Sequence, residues 1–106
     1  MSRSPIITNG EKTMLIVHPG RVLRREIEAR GLSANALALA LRTPSGRITD
    51  ILNGKRGVSP ETAMRPGRYF GNSAQFWLNL QMAYELAVAE RDLGARISAE
   101  AAPAAA

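Results

Sequence analysis

The chain has 106 residues, a formal net charge of +5 and no cysteine. That length allows one small domain with a modest core, and the lack of thiols excludes a disulfide frame, a cysteine-ligated zinc site and thiol chemistry. The single histidine supplies no metal-ligand set, and no apolar run approaches the roughly 20 residues of a membrane span. A cytoplasmic protein without metal or cofactor is expected.

Residues 1–14 carry Pro5, Asn9-Gly10 and polar side chains without periodicity, and are expected to form a flexible arm. Pro19 then fits the first turn of a helix whose narrow apolar stripe is Leu23 and Ile27 with Val22 beside them. Gly31 ends that helix. Ser33 caps a second helix, with Leu37 and Leu41 four apart. Arg42, Thr43 and Pro44 leave room only for a sharp turn. A third helix follows, with Ile48, Ile51 and Leu52 at i, i+3 and i+4, capped by Thr43 or Ser45 and ended by Gly54. Residues 33–54 therefore read as a helix-turn-helix.

Ser59, Pro60 and Glu61 give the cap, the N1 proline and the first-turn acid of a fourth helix. Pro66 and Gly67 lie inside it. Proline removes a backbone donor and crowds the preceding turn at about 3 kcal/mol, and glycine adds up to about 1 kcal/mol, so a kink or early stop at Arg65 is expected. Gly71-Asn72 ends this helix, and Ser73 caps a fifth running to about residue 91. Residues 93–106 are Ala-rich, interrupted by Pro103, and expected to be a disordered tail. The fold class is all-α, a five-helix domain over residues 15–92.

A helix of the third segment's size, carried crosswise on a partner helix, fits the major groove of B-DNA. Its surroundings are basic: residues 42–68 hold Arg42, Arg47, Lys55, Arg56, Arg65 and Arg68 against Asp50 and Glu61. Arg47 is the strongest base-reading candidate, because a guanidinium can bond guanine O6 and N7 together, for about 1–3 kcal/mol of discrimination. Ser45 and Thr49 are further base-contact candidates. Asp50 either accepts from cytosine N4 or pairs with Arg47 or Arg56. Asn53, Lys55 and Arg56, with Asn35 and Arg42, suit phosphate contacts, which position without reading sequence; Asn53 also suits a C-cap beside Gly54.

The fifth helix carries two apolar sets. Trp77, Leu80, Tyr84 and Val88 would close the core, with Phe76 and Trp77 as anchors. The offset set, Phe76, Leu78, Met82 and Leu86, gives an apolar surface broad enough to meet a second copy of the chain, unless the helix is buried on several sides by its own domain. Nothing suggests an enzyme. His18 precedes a proline at a helix start, where a structural hydrogen bond or cap is its natural role.

GLSANALALAL, RITDILNGKRGVSPETA and RYFGNSAQFWLNLQ, with the leading His18-Pro19-Gly20, resemble the HigA/VapI branch of the lambda repressor-like DNA-binding proteins over about residues 15–90. The resemblance implies an antitoxin of a type II toxin–antitoxin pair that binds double-stranded operator DNA as a homodimer. It also implies a HigB-like partner toxin of the RelE-like mRNA endonuclease class. Two other functions fit the same motifs: a stand-alone transcriptional regulator, and a toxin-binding module with weak DNA binding. Four positions depart from the family's pattern: Pro66-Gly67, where relatives look leucine- and alanine-like; Arg42, in place of a glycine with positive φ; Leu39, at an outer position more usually polar; and Gly46, inside the reading helix.

Overall fold

The computed structural model describes residues 16–105, so the arm expected over residues 1–14 falls outside the described residues. Five α-helices and no strand are found among them: α1 (Pro19–Ala29), α2 (Ala34–Leu41), α3 (Ser45–Leu52), α4 (Pro60–Phe70) and α5 (Ala74–Glu100). The class is all-α, with the helix-turn-helix in α2 and α3.

The core forms where the apolar stripes converge. Leu23 and Ile27 of α1, Leu37, Ala38 and Leu41 of α2, and Ile48 and Ile51 of α3 are buried with Val58, Ala63 and Trp77. Trp77, 1% exposed, is the largest of them, and its indole N–H is satisfied by Asn72 Oδ1 at 2.9 Å. Phe76, expected as a second anchor, instead lies 38% exposed, edge-on to Trp77.

Helix boundaries follow local chemistry. The Ser33, Ser59 and Ser73 hydroxyls accept from the N–H groups of Ala36, Thr62 and Phe76, each three residues on, which satisfies donors that a helix start leaves unpaired. At the end of α1, Leu32 N–H bonds Ile27 O at 2.9 Å and Gly31 N–H bonds Glu28 O at 3.2 Å, closing a Schellman motif with Gly31 at φ 67°. The end of α3 repeats it, with Lys55 N–H on Asp50 O at 2.8 Å and Gly54 at φ 75°. The end of α2 repeats it again, with Thr43 N–H on Ala38 O at 3.0 Å, but an arginine stands at the left-handed position: Arg42 has φ 56° and ψ 44°. That conformation costs an L-residue about 1–2 kcal/mol, and the turn between α2 and α3 carries the strain.

Three expectations about helix boundaries fail. Neither Thr43 nor Ser45 caps α3; Pro44 occupies the N-cap position without a side-chain bond, and the buried Thr43 hydroxyl turns back toward Leu41 O instead. No stop occurs at Arg65, since α4 runs unbroken from Pro60 to Phe70. Pro66 and Gly67 are both buried there, and a Cβ on Gly67 would lie 2.6 Å from the backbone of Ser73 and Ala74. The glycine is where the start of α5 presses onto α4, so packing offsets the cost counted from propensity alone. Finally, α5 does not end near Arg91. It continues to Glu100, through Ala, Leu and Arg residues of high helix propensity and an Arg96–Glu100 ion pair at i,i+4. The disordered tail expected from residue 93 is helical for most of its length.

Candidate nucleic-acid interface

Ile48 and Ile51 of α3 are each 1% exposed and pin the helix to the core. With 100° per residue, Gly46, Thr49, Asp50 and Asn53 then share the outward face, and Ser45 and Arg47 stand at its two edges. Ser45, Thr49 and Asn53 are exposed, while Arg47 and Asp50 are half-buried. Gly46 leaves the middle of this face bare: a Cβ there would meet nothing within 4 Å.

Arg47 reaches neither Asp50 nor solvent alone. Its Nη1 lies 3.4 Å from Glu61 Oε1 on α4, and Glu61 Oε2 accepts from Arg65 Nε at 3.2 Å. Arg65 Nη1 in turn donates to Leu41 O, the last carbonyl of α2, at 3.0 Å. Pairing of Asp50 with Arg47 or Arg56, left open by the sequence, is not found among the described residues. Glu61 and Arg65 escaped sequence reasoning as members of this site. No periodicity connects positions 14 apart on two helices.

The turn after α3 holds the basic group. Asn53 is the C-cap, its N–H bonding Thr49 O at 2.9 Å, and its side chain is exposed beside those of Lys55 and Arg56. The turn is fixed at its far end, where Val58 N–H donates to Gln81 Oε1 of α5 at 2.8 Å. Asn35, in the first turn of α2, and Arg42, in the turn before α3, are also exposed. Cations held on anchored backbone, with free side chains, suit phosphate contacts.

His18 stands at the start of α1. Its Nδ1 accepts from Gly20 N–H at 2.9 Å, capping α1, and its ring meets Tyr84 of α5 edge-on at 4.8 Å. Burial pushes the imidazole below its ordinary value of 6.5, against a backbone hydrogen bond at Arg56 that favours the cation. The folded state thus holds fewer protons than the unfolded one, so this group's stabilisation is complete above pH 6.5 and drains away as pH falls below it. Urea unfolding from pH 7 to 5 should show that loss. In His18→Asn, which keeps an acceptor for the Gly20 N–H but does not titrate, the slope over this window should be shallower. Equal slopes would remove His18 from the account.

On α5, Trp77 and Ala87 are buried, whereas Met82 and Leu86 are exposed. Leu93 and Ile97 are exposed farther along the helix. Leu78, grouped with Met82 and Leu86 from the sequence, leans on the core instead. No helix among the described residues is long and apolar enough to cross a membrane.

No family profile matches the chain, but individual proteins do. Virulence-associated protein I of Dichelobacter nodosus is 48% identical over 87 residues, covering 81% of each chain. Among solved structures, an addiction module antidote protein of a HigA family from Coxiella burnetii has a TM-score of 0.83 at 41% identity, covering 86% of this chain and all (100%) of its own. The Pseudomonas aeruginosa antitoxin HigA, solved with the higBA promoter, has a TM-score of 0.83 at 42% identity, covering 86% of this chain and 100% of its own. With its motifs, its five helices and these likenesses over nearly their whole length, the chain belongs to the HigA family of antitoxins, built on the lambda repressor-like helix-turn-helix.

Proposed function

We propose that the protein is a DNA-binding antitoxin that represses its own operon as a dimer and neutralises a HigB-like toxin of the RelE-like mRNA endonuclease class. The observation that carries the DNA-binding part is α3 itself. Its isoleucines are buried, its outward side carries exposed Ser45 and Thr49, and exposed Asn53, Lys55 and Arg56 follow on an anchored turn. The Pseudomonas aeruginosa HigA solved with its promoter supports the same use of the fold. Arg47 reads a guanine, Ser45, Thr49 and Asp50 touch neighbouring base edges, and Asn35, Arg42, Asn53, Lys55 and Arg56 hold phosphates. One such module covers a small footprint, so operator affinity calls for two, about 34 Å apart on one side of the duplex. The free apolar side chains Met82 and Leu86 support α5 as the place where two copies meet.

Titration of the protein against its own upstream DNA and against random duplex, at several salt concentrations, tests the reading. Affinity should fall steeply as salt rises. Arg47→Ala should cost about 1–3 kcal/mol on the operator and little on random DNA. Lys55→Ala should weaken both alike and lower the salt slope by about 1. Equal losses on both duplexes for both variants would overturn these roles.

A further inference from the structure

The carboxylate of Glu61 occupies an unusual place for an acid in a basic surface. It sits in the first turn of α4, where the positive end of a helix dipole favours an anion. One of its oxygens faces Arg47 of α3 at 3.4 Å and the other accepts from Arg65 at 3.2 Å. Arg65 is itself held by the Leu41 carbonyl at 3.0 Å. A continuous polar chain therefore runs from the end of α2, through α4, to the one guanidinium at the edge of the reading helix.

We propose that Glu61 is a specificity-determining residue that acts without touching DNA, by orienting the Arg47 guanidinium before the duplex arrives. This rests on the base-reading role of Arg47 given above. A free arginine samples many rotamers, and a bidentate contact with guanine requires one plane and one reach. Holding the side chain from behind leaves less freedom to be lost on binding, and it does so only for the contact that needs this geometry. Glu61 and Arg47 have side chains 61% and 33% exposed, and exposed ion pairs add little to folding stability. The bridge therefore acts on recognition and leaves stability almost untouched. Glu61 also adds a negative charge beside the proposed basic interface, so its removal should tighten binding to every sequence alike. The ratio of operator to random affinity isolates the positioning effect from that general one.

The test is a double-mutant cycle on the full chain. Glu61→Ala should lower the melting temperature by only a few degrees, for the lost first-turn charge, and reduce the operator-to-random ratio about three- to tenfold. Glu61→Gln, which still accepts a hydrogen bond, should retain part of the ratio. In the Arg47→Ala background the same Glu61→Ala substitution should no longer change it. A ratio that falls with Arg47→Ala but survives Glu61→Ala, or that drops equally with and without Arg47, overturns the positioning role alone. A ratio untouched by Arg47→Ala overturns the base-reading assignment, and the role of Glu61 with it.

Discussion

Gly20→Ala should unfold the domain or cost it at least about 3 kcal/mol. A methyl at this position would lie 2.0 Å from the Ile51 carbonyl oxygen and 3.0 Å from its carbon. Both neighbours are backbone, so no side-chain rotation relieves the overlap. The first turn of α1 must lift away from the last turn of α3, opening a core in which Leu23, Ile27, Ile48 and Ile51 interlock. An ordinary helix interior gains about 1 kcal/mol when glycine becomes alanine, so the expected change has the opposite sign. Gly46, where a Cβ meets nothing, is the control, and Gly46→Ala should hold or raise stability. Urea unfolding of both variants checks this, and a Gly20→Ala protein as stable as the parent would mean the two helices are not in contact as described. The Ile51 carbonyl also accepts from Gly54 N–H at 3.1 Å. A displaced Ile51 should therefore disturb the turn carrying Lys55 and Arg56, and any folded Gly20→Ala protein should bind DNA of every sequence more weakly.

Gly67→Ala should cost about 2–3 kcal/mol for a related reason. Its added methyl would lie 2.6 Å from Ala74 N and from Ser73 C, driving the start of α5 off α4 at the point where Ser73 caps it. The start of α5 carries Trp77, four residues after Ser73, so the strain reaches the core anchor directly. Far lower midpoints in urea, with an unchanged slope, would mark a loss of stability without a change in the denatured state. A neutral or stabilising Gly67→Ala would show that propensity, not close packing, governs this helix.

Gly67 also marks how far the sequence could be read. The helix starts and stops marked by Pro19, Gly31, Ser33, Gly54, Ser59-Pro60 and Ser73 were legible, since all lie where the elements begin or end, whereas the cap of α3 was not. The left-handed Arg42 was reached only through the family resemblance, in which a glycine with positive φ stands at that position, and not from the residues around it. What failed was the weighing of propensity against contacts remote in sequence. Pro66 and Gly67 look like defects until α5 is placed against them, and Thr43 looks like a cap until it is buried. The site divided in the same way. The exposed Ser45, Thr49, Lys55 and Arg56 follow from helix phase and the turn. The partner of Arg47 does not, since Asp50 is three residues away in sequence and Glu61 fourteen.

The repeated closing pattern at the ends of α1, α2 and α3 has a kinetic meaning. Each of these helices carries its own stop within two residues of its end, and neighbouring helices are joined by short connections. Little of the chain must wait for a distant segment before it can settle. Such an architecture should assemble at the fast end of the range for small proteins, in roughly microseconds to milliseconds.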